Sequence, residues 1–142
     1  MSDRLTLADR SLPIMLLRAR EAVMKRFRPM LKAHGLSEQQ WRVLRVLNET
    51  GPSEPTHLAE ACVILLPSLT RILAHLEAAS LVRRQKHAHD GRRQIAEITD
   101  KGRALIAGIA PKSLSIYAEI EDEFGAADTK ALMTALRKLA EM

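Results

Sequence analysis

Leu66-Pro67-Ser68-Leu69-Thr70-Arg71-Ile72-Leu73-Ala74-His75-Leu76-Glu77 opens the segment, residues 66–99, from which the rest of the chain can be laid out. Leu69, Ile72, Leu73 and Leu76 fall at i, i+3, i+4 and i+7, so a helix here carries one apolar stripe that must face a core. Its free side then presents Pro67, Arg71, Ala74, His75 and Ala78, flanked by Ser68 and Thr70. These are short or hydrogen-bonding residues apart from one arginine, a surface shaped for the major groove of a duplex.

Such a face alone is most often merely solvated. The residues that follow change the reading. Arg83, Arg84, Lys86, Arg92 and Arg93 stand against a single Asp90, with His87 and His89 able to add charge below neutrality. Leu81 to Lys86 can pair with Gln94 to Ile98, and Asp90-Gly91 is the strongest turn signal in the chain. A projecting loop with arginines near its tip suits a minor groove, where negative potential is focused.

Working outward, residues 11–34 predict a long helix with Leu12, Leu16, Ala19, Val23, Phe27 and Met30 on one face. Pro29 is expected to kink it or mark its fraying end. Ser37 and Gln40 form a capping box for a helix that runs to about Asn48 and ends at Gly51-Pro52. A compact helix over Thr56 to Ala61 then precedes the one beginning near Pro67. A short bracing helix joined by a tight turn to a reading helix is the helix-turn-helix arrangement, and the hairpin adds a wing. Thr99 is a natural N-cap for a helix over Asp100 to Phe124, which Pro111 should bend. Gly125 separates it from a last helix, Ala127 to Glu141, with Leu132, Leu136 and Leu139 on one side.

The expected fold is therefore mainly α with a small β-hairpin: a winged helix-turn-helix with N- and C-terminal dimerisation helices. One domain spans 1–142, with a DNA-binding lobe over 37–99 and a helical dimerisation region made of 8–34 and 100–142. The terminal helices carry more apolar residues than the short elements can cover, so they are expected to pack on a second copy. A two-fold dimer would read a pseudo-palindromic operator in double-stranded DNA.

Composition agrees. With 46% hydrophobic but only 3% aromatic residues, the core must be built from Leu, Ile, Val, Ala and Met, which favours helices. A formal charge of +5 suits a polyanionic partner. No run approaches the ~20 apolar residues of a membrane span, and Met1-Ser2-Asp3-Arg4-Leu5 lacks a signal peptide's apolar core. A cytoplasmic location with no membrane partner is expected. The lone Cys62 excludes an internal disulfide and reads as a small core residue, with a redox-responsive regulator acting through Cys62 as one alternative. A helical dimer that binds another protein rather than DNA is the other. His87-x-His89 lacks companions for a metal site, and neither a phosphate-cradling glycine loop nor a paired nucleophile and base is present. Neither an enzyme nor a bound cofactor is expected.

With these parts placed, the chain resembles the MarR family of regulators over nearly its whole length. The residues carrying the resemblance are Gly35-Leu36-Ser37-Glu38-Gln39-Gln40-Trp41-Arg42-Val43-Leu44, Leu58-Ala59, Leu69 through Glu77, Leu81-Val82-Arg83-Arg84, Asp90-Gly91-Arg92 and Ile98-Thr99-Asp100-Lys101-Gly102. Within the family it looks most like the subgroup regulating homoprotocatechuate-degradation operons. The resemblance implies a homodimeric repressor of an aromatic-compound catabolic operon, released by a small aromatic carboxylate such as a phenolic acid. It further implies that Ser68, Thr70 and Arg71, with His75 on the same face, meet the major groove. Asp90 would orient the wing, and Arg92 or Arg93 would enter the minor groove. Gly91, and Ala79-Ser80 at the recognition helix's end, depart from the usual pattern. For the effector, Arg18 and Arg20 with Trp41, Arg42 and Arg45 offer cations and an apolar wall together, and Arg18 holds the family position for the carboxylate.

Overall fold

The capping box opens the element on which the rest of its neighbourhood rests. Helix α3, Glu38–Thr50, begins where Ser37 Oγ accepts from the Gln40 amide at 3.1 Å and Gln40 Oε1 accepts from the Ser37 amide at 2.9 Å. It ends at Gly51, whose φ of 81° only glycine adopts cheaply. Trp41, Val43, Leu44 and Leu47 form its buried side. The computed structural model describes residues 6–86 and 89–142. The N-terminal reading of Met1 to Leu5 and the charge expected on His87 lie outside the described residues.

The chain divides into two compact units, Met30–Pro111 and Met1–Pro29 with Lys112–Met142. In the first, α3 packs with α4 (Pro55–Cys62) and α5 (Leu66–Ala78). Helix α4 starts on Pro55, whose fixed φ and missing N–H suit a first turn. Leu69, Ile72, Leu73 and Leu76 of α5 are buried, as their spacing requires. Strands β1 (Val82–Lys86) and β2 (Gln94–Ile98) pair antiparallel, with Val82 opposite Ile98 and Arg84 opposite Ala96. Ser53 adds a short bridge that the sequence did not announce, exchanging both backbone hydrogen bonds with Ala96 at 3.0 and 2.8 Å.

The base of the hairpin is tied to α5 and to α6 (Asp100–Phe124). Thr99 Oγ1 donates to the Ser80 carbonyl at 2.7 Å and accepts from the Gly102 amide at 3.1 Å, the cap expected of it. Lys101 Nζ donates to the Ala79 carbonyl at 3.0 Å. Gly102 lies so close to its neighbours that a Cβ there would stand 2.4 Å from the Leu81 carbonyl oxygen. At the exit of α5, Ser80 takes a φ of 63°, so a serine fills the left-handed position that glycine normally serves.

In the second unit, α1 (Leu7–Arg10), most of α2 (Leu12–Ala33), the C-terminal half of α6 and α7 (Ala126–Ala140) are all helical. Helix α2 does not end at Pro29 but continues to Ala33. Phe27 packs against Tyr117 with ring centroids 4.8 Å apart. Of the predicted stripe on α2, Phe27 and Met30 are buried, whereas Leu12, Leu16, Ala19 and Val23 are exposed. Helix α7 buries nothing: Leu132 is exposed, and Leu136 and Leu139 are only half-buried. Pro29 in α2 and Pro111 in α6 stand at the two places where the chain passes from one unit to the other.

Candidate nucleic-acid interface

The outward side of α5 is the one read from its spacing. Thr70, Arg71, Ala74, His75 and Ala78 are exposed, and Ser68 is half-buried. Thr70 Oγ1 donates to the Leu66 carbonyl at 3.0 Å, which turns its hydrogen into the helix and leaves its lone pairs for a donor outside. Ser68, Thr70, Arg71 and His75 thus share one short exposed surface within a single unit.

The wing's cations differ from one another in a way that their spacing conceals. Arg83 Nε meets Glu97 Oε2 at 3.1 Å across the strand register, and Gln85 donates to the same oxygen at 3.2 Å. Arg84 Nη2 meets Glu77 Oε1 at 3.3 Å, and the Arg84 amide donates to Glu77 Oε2 at 3.2 Å, which fastens β1 to the last turn of α5. Hydrogen bonding from Arg84 holds the Glu77 carboxyl below its ordinary range. Arg93 is ion-paired with Glu54, the residue that precedes α4. Arg92 has no ion-pair partner among the described residues and is exposed. Its backbone is set by the turn: Asp90 Oδ1 accepts from the Arg92 amide at 3.0 Å, and the Asp90 carbonyl accepts from the Arg93 amide at 3.0 Å.

The residues singled out for an effector fall in different units. Arg18 and Arg20 are exposed on α2. Trp41 is buried on α3, with the Arg45 guanidinium 4.5 Å from its ring centroid, a cation–π contact. Arg42 is committed to structure, donating to the Cys62 carbonyl at 3.0 Å and to Glu38 at 3.1 Å. Cys62 itself is buried, and desolvation pushes its thiol above the usual range despite the nearby Arg42 charge. Among the described residues no group of three His, Cys, Asp or Glu could hold a metal ion, and no single helix is long and apolar enough to cross a membrane.

Sequence reasoning missed Glu54, Glu77 and Glu97, the acids that neutralise three of the four wing arginines. Only Glu97 left a trace, because the hairpin register places it opposite Arg83. It also passed over Leu65 and Leu66, apolar residues that ordinary patterning assigns to a core but that lie 79% and 41% exposed.

Comparison with known proteins agrees with this geometry. A model of the MarR family matches residues 34–93, the span that holds the helical reading face and the wing's first strand and turn, as far as Arg93. The homoprotocatechuate degradative operon repressor of Escherichia coli is 41% identical over 128 residues, covering 90% of this chain and 86% of that protein. The crystal structure of NadR in complex with 4-hydroxyphenylacetate is 37% identical, covers 100% of this chain and 97% of that one, and superposes with a TM-score of 0.81. CouR, a transcriptional repressor bound to a 23-mer DNA duplex, is 26% identical with a TM-score of 0.87, covering 99% of both chains. With the helical reading face, the arginine-bearing wing and these likenesses in agreement, the chain belongs to the MarR family of winged helix-turn-helix transcriptional regulators.

Proposed function

We propose that this chain is a homodimeric repressor that grips a pseudo-palindromic operator with α5 in the major groove and Arg92 in the minor groove, and lets go when a small phenolic carboxylate binds. It acts in the cytoplasm, by binding rather than by catalysis. The observation that carries the residue assignment is the inequality among the wing arginines: Arg83, Arg84 and Arg93 each have a carboxylate partner, and among the described residues Arg92 does not. A guanidinium already paired must first give up that partner, so Arg92 is the inserting residue and Arg93 the one that sets the wing against Glu54. Ser68, Thr70, Arg71 and His75 supply the base-edge and phosphate contacts, with Asp90 shaping the turn.

Dimerisation is supported by the apolar side chains left outside in the unit of the terminal helices. Leu12, Leu16, Val23, Leu114, Phe124 and Leu132 are all more than a third exposed, apolar area that packing against a second copy would take out of water. The effector class is supported by the phenolic acid bound to NadR and by the catabolic role named for the Escherichia coli repressor. Arg18, assisted by Arg20 on the same exposed stretch of α2, is assigned the carboxylate.

The test is operator binding. A duplex selected by the wild-type protein from a randomised library is titrated at several salt concentrations. Arg92→Ala is expected to weaken binding and to flatten the salt slope by about 0.9 for each phosphate left without its cation. Unchanged affinity and slope would remove Arg92 from the interface. In parallel, hydroxylated benzoates, phenylacetates and cinnamates are screened for a raised melting temperature, which Arg18→Ala should abolish.

A further inference from the structure

The turn between α4 and α5 exposes three apolar side chains in succession around one buried residue. Val63 is 84% exposed, Leu65 79% and Leu66 41%, whereas Ile64 is buried. Val63 is also held at φ 55° and ψ 50°, a left-handed backbone that is costly for a β-branched residue. Neither core packing nor backbone preference accounts for a valine there. Together with Thr56, Ala59 and Glu60 these residues line an open groove of about 560 Å³.

The groove continues directly into the reading surface of α5, since Leu65 precedes that helix and Leu66 begins it, one turn before Thr70. Residues at the N-terminal end of a recognition helix are the ones that reach base edges. Its lining holds no cation and one acid, Glu60, so it is unsuited to phosphate oxygens. The apolar features that a duplex offers in its major groove are the C5-methyl groups of thymine.

We infer that Val63, Leu65 and Leu66 form a specificity surface that covers thymine methyl groups in the operator's major groove, which makes this regulator select thymine at positions its polar side chains do not read. The inference rests on the repressor reading above. Each methyl covered should strengthen binding roughly fourfold, the worth of one buried carbon.

Deoxyuridine differs from thymidine only by that methyl, so it tests the idea without altering the protein. The library-selected duplex is remade with deoxyuridine at each thymidine in turn and titrated against wild type and a Leu65→Ala/Leu66→Ala variant. Both positions are exposed, and the variant's fold is checked by its melting curve. The expected result is a loss of roughly fourfold for wild type at one or two positions per half-site, and little or none for the variant. Equal responses of the two proteins, or no response anywhere, would overturn the inference while leaving the repressor reading intact. Wild-type self-association that the variant loses would assign the patch to a second copy and equally overturn it. Failure of the library to yield any preferred duplex would overturn both readings.

Discussion

Helix α6 contains a matched pair of glycines whose replacement should push stability in opposite directions. At Gly102 an added Cβ would lie 2.4 Å from the Leu81 carbonyl oxygen, 2.7 Å from Ile98 Cγ1 and 3.3 Å from Ile98 Cδ1. The carbonyl cannot simply retreat, because it accepts the Thr99 amide at 3.0 Å, and Ile98 is buried. Overpacking of this kind costs about 1–3 kcal/mol, and a clash with backbone places Gly102→Ala near the top of that range. Alanine returns about 0.5–1 kcal/mol through its better helix propensity, so the net loss is about 2 kcal/mol. Gly108 meets nothing within 4 Å, and Gly108→Ala should therefore gain that same 0.5–1 kcal/mol or so. Urea titrations followed by circular dichroism, at one protein concentration because a dimer's stability depends on it, should show the two midpoints moving apart with unchanged slopes. A Gly102→Ala midpoint at or above wild type would refute the close approach at the hairpin base.

At the α5 exit, Ser80→Gly should raise the melting temperature by relieving the positive φ, a gain of up to about 1 kcal/mol; a lowered value would mean that the serine's own interactions are worth more than its backbone costs. Cys62 should resist a thiol reagent at pH 7 in the folded protein and react promptly in urea, since burial raises its pKa and limits access; rapid modification of the native state would revive the redox alternative. Glu77 has a folded pKa depressed by Arg84, so its contribution is present above the ordinary carboxylate range and disappears as pH falls through the depressed value. Glu77→Gln should accordingly flatten the acid limb of the stability profile, and an unaltered limb would show that the pair contributes nothing.

What could be read in advance, and what could not, separates by range along the chain. The capping box at Ser37, the apolar stripe of α5, the Asp90-Gly91 turn and the Thr99 cap are local patterns, each complete within a few residues, and the structure contains all four. The pairing of Arg93 with Glu54 and the Ser53–Ala96 bridge join distant segments, and nothing near either residue encodes its partner. Charge counting made the wing arginines equivalent; their acids, supplied by α5, β2 and the residue before α4, make them unequal. Apolar patterning failed at Val63, Leu65 and Leu66 for a different reason. Hydrophobic residues usually fold inward, and three left in water are legible only once solvent exposure is known. The helix expected over 11–34 is present and passes Pro29 to end at Ala33 rather than at the proline, because a proline gives up only one hydrogen bond and the helix resumes behind it.

Pro29 and Pro111 each remove an amide from the ladder of a long helix, and both do so where the chain leaves one unit for the other. Rods missing a rung flex most easily at the gap. Each helix should therefore be most pliant beside its proline, and amide hydrogen exchange should run faster in the adjoining turns than at the middle of either rod.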